Sequence, residues 1–181
     1  MRSLSTLLFV CCVKLQYQIM SVKVYIWLPK GGRVGHTAME VGDRAYISFW
    51  PGYNRKGFFR SIIRNLTVNV KRRPFYRNYT ADCEAEEFEP LTVEFEKLNE
   101  NVIQKYWEKV QESELAYELT EFNCSTVIAN ALYLGSGFQP SFRPMAEVDK
   151  YVGMGIPLGE VETWEPKNIL QYAKELKKKV G

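Results

Sequence analysis

The sequence contains a single histidine, His36, among its 181 residues. Zinc sites built wholly from protein side chains combine several histidines and cysteines at short, regular spacings. The four cysteines (Cys11, Cys12, Cys83 and Cys124) form no Cys-x-x-Cys pair, and adjacent cysteines such as Cys11 and Cys12 rarely bond to each other. We therefore expect no metal site, no other cofactor and mostly reduced thiols.

The chain also has little net charge. Its 24 basic and 21 acidic residues leave a formal charge of +3, too small to indicate a nucleic-acid partner. Charge is instead concentrated in basic runs at residues 71–73 and 177–179 and in an acidic stretch between them. Short runs of like charge are usually solvated surface. The glutamates for which we expect this are Glu84, Glu86, Glu87, Glu89, Glu94 and Glu96.

No apolar run is long enough to cross a membrane. Arg2 and the apolar residues 4–13 resemble the start of a signal peptide, but a membrane span needs about 20 apolar residues. Residues 14–18 offer no convincing small-residue cleavage site, and Met20 could equally be a start residue. We expect residues 1–20 to be a signal-like or dispensable leader, and no stable membrane span.

A glycosylation sequon bears on the compartment. Asn123, Cys124 and Ser125 form the acceptor pattern, so secretion through a eukaryotic pathway would risk a glycan beside Cys124. The sequence therefore favours a cytoplasmic protein, or a secreted one if residues 1–20 act as a signal peptide.

The length and the globular composition predict one domain over residues 21–181. Apolar and polar residues alternate over residues 22–28, 34–41, 45–50, 66–70 and 91–95, which predicts five strands. The turn at residues 42–44 joins the second and third strands into a hairpin. If that loop holds three residues, Val41 pairs with Ala45.

The carboxyl half has helical periodicity. Apolar residues recur at helical spacing from Ile103 to Val110, with Asn99 as a plausible cap. A second helix is predicted from Cys124 to Leu134, ending at Gly135, and a third after Pro166. The predicted fold is α+β, an antiparallel sheet packed against helices.

Cys124 is the candidate nucleophile. Asn123 is suited to cap a helix, which places Cys124 in the first helical turn. There the unpaired backbone N–H groups and the positive end of the helix dipole stabilise a thiolate. The same N–H groups can receive the oxyanion that forms when a carbonyl is attacked. A buried cysteine that merely packs as a small apolar residue is the alternative.

His36 is the one possible histidine base for that thiol. Gly35, directly before it, leaves room for another backbone to approach. In the predicted hairpin, Ser48 lies diagonally across from His36 and could orient its ring. Tyr46 and Trp50 share the face and could wall a cleft. Tyr46, Trp50 and Asn123 are thus the candidate substrate-binding residues, with Cys124, His36 and Ser48 as the candidate catalytic ones.

Two segments carry a family resemblance. Residues 35–43 (GHTAMEVGD), followed by Tyr46, Ile47, Ser48 and Phe49, resemble the histidine hairpin of permuted papain-fold proteins. Residues 117–135, with Asn123-Cys124-Ser125-Thr126 at their centre, resemble the nucleophile helix of those proteins. Histidine precedes cysteine, which is the reverse of papain. The similarity is greatest to PPPDE-type isopeptidases and extends to lecithin retinol acyltransferase-like and permuted NlpC-type proteins.

The resemblance implies a circularly permuted papain-like fold, with Cys124 as nucleophile and His36 as base. It implies a thiol hydrolase that cleaves an amide or isopeptide bond through a Cys–His dyad and an acyl-enzyme. The partner would be a protein or peptide substrate, such as a ubiquitin-like conjugate. The lecithin retinol acyltransferase pattern has a second histidine where Ser48 stands. A lipid thioesterase or acyltransferase, and a catalytically silent binding module with Trp50, Tyr53 and residues 58–59 as its contact surface, are the alternatives.

Overall fold

The computed structural model describes residues 21–31, 33–52, 73–113, 115–147 and 159–180. The predicted leader (residues 1–20), the predicted strand at residues 66–70 and the suggested contact residues 53 and 58–59 lie outside the described residues. Within the described part, no helix combines the length and the apolar character that crossing a bilayer requires.

The described residues form an α+β arrangement, as the sequence predicts. The strands are β1 (Val22–Trp27), β2 (His36–Val41), β3 (Ala45–Pro51), β4 (Pro74–Tyr76), β5 (Leu91–Phe95), β6 (Met145–Glu147) and β7 (Glu160–Glu162). The helices are α1 (Tyr79–Glu86), α2 (Glu100–Glu112), α3 (Cys124–Ser136) and α4 (Pro166–Val180). Strands β1 to β5 make one antiparallel sheet in the order β4-β3-β2-β1-β5, and β6 pairs with β7 separately.

The β2–β3 hairpin has the predicted register. Val41 pairs with Ala45 and Glu40 with Tyr46, so the loop holds the three residues 42–44. The predicted start of β2 at residue 34 is two residues early. Gly35 has a positive φ of 79°, and a β-carbon there would lie 2.3 Å from the carbonyl oxygen of Trp27. The strand therefore begins only at His36, immediately after this close backbone approach.

The sheet is buried on both faces. On one face, Val24, Ile26 and Met39 join the main core with helices α2, α3 and α4. On the other face, Tyr25, Trp27 and Ala38 form a smaller cluster beneath α1 and the residues that follow it. Because paired residues of neighbouring strands share a face, His36, opposite Trp27, belongs with the second cluster. The sheet thus separates the main core from an aromatic layer that surrounds the histidine.

Helices α2 and α3 begin at the predicted caps, but α3 ends later than predicted. The side chains of Asn99 and Asn123 accept hydrogen bonds from the N–H groups of Val102 and Thr126. The predicted end of the nucleophile helix at Gly135 is wrong, because α3 continues to Ser136 and its left-handed terminal residue is Gly137. Gly135 has another function, which is to let α3 pack closely against α2.

Gly135→Ala should therefore destabilise the protein, although alanine is the better helix former. The added β-carbon would lie 2.5 Å from Cδ1 of Ile103, a fully buried side chain. Overpacking costs about 1–3 kcal/mol, and the gain in helix propensity offsets up to about 1 kcal/mol of that. We expect a net loss of about 1–2 kcal/mol in chemical denaturation. Ile103→Val removes the clashing methyl, so the double variant should lose less than the sum of the single losses.

Helix α1 was not predicted from the sequence, and neither were strands β4, β6 and β7. Asn78 caps α1 by accepting a hydrogen bond from the N–H of Ala81, and Asp82 lies in its first turn. The prediction that the acidic stretch is solvated is wrong for Glu86, which is only 4% exposed. The other five glutamates of the acidic stretch are exposed, as predicted. Glu86 and Asp82 are one turn apart, so α1 turns two carboxylates towards the protein interior.

Candidate active site

Cys124 is the first residue of α3 and is buried. The N-cap Asn123 fixes this start, because its Oδ1 accepts the N–H of Thr126 at 2.9 Å. The N–H of Val127 bonds to the backbone carbonyl of Asn123. The sulfur therefore lies at the positive end of a helix of 13 residues, where a thiolate is electrostatically favoured.

The amide nitrogen of Asn123 connects the nucleophile to two neighbouring loops. Its Nδ2 donates to the carbonyl of Leu119 at 2.7 Å and to the carbonyl of Trp164 at 2.9 Å, with Thr163 Oγ1 at 3.4 Å. Asn123 was predicted to bind substrate. It does line the pocket described below, and these bonds make it the residue that fixes two pocket walls relative to Cys124.

His36 is held between two tryptophan rings. The ring centres of Trp50 and Trp27 lie 4.3 Å and 5.7 Å from that of His36. His36 is the first residue of β2 and Cys124 the first of α3, and the two side chains lie close enough to shift each other's pKa. The structure thus brings together the two residues that the sequence analysis paired, 88 positions apart in the chain.

Nε2 of the His36 ring contacts two oxygen atoms and not the thiol of Cys124. Nε2 lies 3.1 Å from Ser48 Oγ and 3.5 Å from Asp82 Oδ2. Since Nε2 faces these two oxygens, Nδ1 is the ring nitrogen left for Cys124. The contact with Ser48 is the one predicted from the hairpin register.

Asp82 completes the cluster from α1, and it is fully buried. Trp50 Nε1 donates to Oδ1 at 2.8 Å, and the Tyr46 hydroxyl donates to Oδ2 at 2.9 Å. Burial alone would raise the pKa of Asp82, but His36, Ser48 and Tyr46 outweigh it and hold that pKa below its usual value. Asp82 is therefore a buried anion next to the base, with its oxygens satisfied by fixed donors.

The thiol and the imidazole shift each other's titration. Burial is the largest single effect on each pKa and opposes the charged forms of both, but the mutual attraction of the two groups and the nearby hydrogen-bonding groups together outweigh it. The mutual attraction lowers the pKa of Cys124 and, together with Asp82, raises the pKa of His36 to about 9. The backbone of Thr37 and the hydroxyl of Ser125 also lower the pKa of Cys124. These donors favour a thiolate–imidazolium pair at neutral pH.

Ser125 is itself held in position by the sheet. The hydroxyl of Thr37 on β2 donates to Ser125 Oγ at 3.3 Å, and both residues are buried. Ser125 Oγ lies 4.0 Å from the sulfur of Cys124. This link joins the start of β2 to the start of α3, so the strand that carries His36 also orients the helix that carries Cys124.

A pocket opens beside Cys124, with an empty volume of about 430 Å³. Four chain segments meet around it. Its lining is formed by Val34, Gly35, Tyr117, Leu119, Thr120, Asn123, Cys124, Ser125, Ala146, Thr163, Trp164, Glu165 and Pro166. Apolar side chains dominate this lining, with a few polar groups and one carboxylate, as is usual for binding sites of small groups.

The other predicted substrate contacts, Tyr46 and Trp50, do not line this pocket. Their polar atoms bond to Asp82, and the Trp50 ring stacks on His36, so their contacts are with the base and its neighbours. Asp82 was not among the site residues predicted from the sequence. The one local signal for it is Asn78, a good helix cap that places an acidic residue in the following first turn.

Comparison of the chain with models of known protein families, with curated protein sequences and with solved structures finds no match.

Proposed function

We propose that this protein is a cysteine hydrolase that cleaves an amide or isopeptide bond through an acyl-enzyme intermediate. One observation carries the proposal. A cysteine at a helix N-terminus has its pKa lowered by a neighbouring buried histidine, and this cysteine lines an open pocket. A nucleophile, a base within hydrogen-bonding reach and a third group that orients the base are the features that nucleophilic catalysis requires.

In the first half-reaction the Cys124 thiolate attacks the carbonyl carbon of the scissile amide, and a carbon–sulfur bond forms. The tetrahedral oxyanion is received at the start of α3, where Asn123 already occupies the N–H groups of Thr126 and Val127. The backbone N–H groups of Cys124 and Ser125 are the donors proposed for it. The carbon–nitrogen bond then breaks as the His36 imidazolium gives its proton to the leaving amine.

In the second half-reaction water attacks the thioester. Neutral His36 takes the proton of the water, the carbon–sulfur bond breaks, and the thiolate and the carboxylic acid product are released. Asp82 stays ionised throughout. It stabilises the imidazolium in each half-reaction and keeps the ring oriented with Nδ1 towards the sulfur.

The fold class is part of the same proposal. A histidine on a strand that precedes a cysteine at the start of a helix is the chain order of a circularly permuted papain-like domain. The antiparallel sheet and the cysteine-bearing helix are compatible with that class. Substrates of the protein or peptide type, with ubiquitin-like conjugates among them, follow from this assignment.

A cytoplasmic location also belongs to the proposal. The side-chain amide of Asn123 is buried and donates to backbone carbonyls on two segments. A glycan on that nitrogen would replace one of its two N–H groups, so at least one of these hydrogen bonds would be lost, and the bulky sugar would disturb the alignment of Cys124 that depends on them.

The proposal predicts selective alkylation of Cys124 below neutral pH. His36 lowers the pKa of Cys124, whereas burial raises the pKa of Cys83. Thiolates react and thiols do not. With limiting iodoacetamide at pH 6, we expect Cys124 to be labelled at least about tenfold faster than Cys83, as measured by peptide mass spectrometry.

The matched control is His36→Gln, which removes the imidazolium but keeps a side chain of similar reach. In that variant the pH at which Cys124 reacts at half its maximal rate should rise. Equal labelling of Cys83 and Cys124 at pH 6, or an unchanged profile in His36→Gln, would contradict a primed nucleophile.

A further inference from the structure

Glu165 is the one charged residue in the pocket lining that the structure describes. Its side chain is only 7% exposed, and it forms an ion pair with Lys167. A carboxylate removed from water needs a cation or strong donors nearby. Lys167 is 54% exposed, so the cation that now serves Glu165 is itself largely in solvent.

The backbone of Glu165 is fixed. Its carbonyl accepts the N–H groups of Asn168 and Ile169, and its own N–H bonds to Asn168 Oδ1 at 3.1 Å. It directly precedes Pro166, the first residue of α4. Reciprocal bonds of this kind between the residue before a helix and its first turn define where the helix begins.

Asn123 sets the position of Glu165 relative to the nucleophile. Its Nδ2 donates to the carbonyl of Trp164, the residue before Glu165, while its own chain continues directly into Cys124. The backbone segments that carry Glu165 and Cys124 are therefore joined by hydrogen bonds at the starts of α3 and α4.

The pocket lining that includes Glu165 also contains aromatic and aliphatic side chains. Tyr117 stacks on Phe49 with ring centres 5.6 Å apart, and Trp164 packs against Tyr172 at 5.8 Å. Leu119 also lines the pocket, and its carbonyl accepts a hydrogen bond from Asn123 Nδ2. A long side chain with an aliphatic stem and a cationic head matches apolar walls that lead to a buried carboxylate.

We propose that this pocket selects substrates with a lysine or arginine side chain near the scissile carbonyl, and that Glu165 binds the cationic head in exchange for Lys167. This inference rests on the proposed function and names its substrate class. Lys167 acts as an internal competitor in the free protein and moves into solvent when substrate binds. An uncharged side chain of the same length would pack against the apolar walls and leave the ion pair between Glu165 and Lys167 unchanged.

The test uses peptide chloromethyl ketones, which alkylate an active-site thiol without requiring turnover. The two probes of each pair are identical except at one position, where one probe carries lysine and the other norleucine. One pair varies the residue that bears the chloromethyl ketone, and a second pair varies the residue before it. The measured quantity is the ratio of the second-order rates at which each pair labels Cys124. In the native protein we expect a lysine preference of about tenfold or more at one of these positions.

Two variants should move that ratio in opposite directions. Glu165→Gln keeps the shape of the side chain and removes its charge, so the preference should fall to about twofold or less. Lys167→Met removes the competitor and should raise the preference by about threefold or more. Glu162→Gln removes the same charge from a half-exposed residue that does not line the pocket, so it should leave the ratio unchanged.

The outcomes separate this inference from the proposed function. Equal labelling by lysine and norleucine probes at both positions, or an unchanged ratio in Glu165→Gln, would overturn the assignment of Glu165 and leave the cysteine hydrolase proposal standing. Failure of every probe to label Cys124 would overturn both.

Discussion

Cys124→Ser should reduce the hydrolysis of peptide amides by at least about 10⁴-fold, which is within the range seen when an enzyme loses its nucleophile. The serine hydroxyl is far less acidic than the thiol, so the ion pair with His36 cannot form before attack. The donors that favour the thiolate, Thr37 N–H and the Ser125 hydroxyl, then hold an uncharged oxygen. Turnover can be followed by the release of a fluorescent amine from a panel of peptide amides and isopeptides.

The matched control is Cys83→Ser. Cys83 lies on α1, the helix that also carries Asp82, but it packs against the aromatic cluster of Tyr25 and Trp27. We expect its replacement to leave turnover within about twofold of native, with a melting temperature close to that of Cys124→Ser. An electrophilic substrate analogue should add mass to the native protein at Cys124 alone. Full turnover in Cys124→Ser would falsify the cysteine hydrolase proposal. A silent binding module predicts no adduct and unchanged partner affinity in that variant.

The hairpin and the nucleophile helix were predictable because their determinants are local. Alternation of apolar residues defined β2 and β3, and the three-residue turn then fixed which residues face each other across the pair. That register alone brought Ser48 towards His36. In the same way, Asn123 could be identified as a cap from its own chemistry, and the position of Cys124 followed from it.

Helix α1 and its carboxylate were not predictable by the same means. The helix has eight residues and no repeating apolar face, so periodicity gives no signal for it. The burial of Asp82 depends on Tyr46 and Trp50, which precede it by 36 and 32 residues. An acidic stretch looks solvated until those donors are placed. The same two aromatics were assigned to the substrate because their role depends on a residue that had not been recognised.

The end of α3 shows the same limit from another side. A glycine near the end of a helical pattern usually marks a left-handed terminal residue, and two candidates stand two positions apart. Gly137 takes that conformation, while Gly135 is needed for contact with Ile103 of α2. The choice between them is made by tertiary packing, which the local sequence does not contain.

Asp82→Asn should lower kcat by about 10²–10⁴-fold, the second largest loss that we expect. Asparagine keeps the shape of the side chain and one acceptor oxygen, but it cannot offset the charge of the His36 imidazolium. Its amide can also turn an N–H towards Nε2 and so favour the wrong tautomer. Since Asp82 raises the pKa of His36, its loss should lower that pKa and weaken the ion pair with Cys124. The pH at which Cys124 reacts with iodoacetamide should therefore move upwards.

Two other substitutions, at Ser48 and Tyr46, measure how much each of these neighbouring groups contributes to the function of His36 and Asp82. Ser48→Ala removes the nearer contact of Nε2 but no charge, and should cost about tenfold, or about 1.4 kcal/mol of barrier. Tyr46→Phe removes one of the donors to Asp82 and should raise the pKa of that carboxyl without neutralising it at pH 7, so its effect should be smaller still.

A purely structural Asp82 would give a different pattern: Asp82→Asn would lower the melting temperature, while the folded fraction kept native kcat and an unshifted alkylation profile. If Ser48→Ala proved the more damaging variant, the hydroxyl rather than the carboxylate would be the group that positions His36. A loss that is largest in Asp82→Asn and smaller in the other two variants, with the upward pH shift in Asp82→Asn, means that the negative charge on α1 holds the base ready for the thiol.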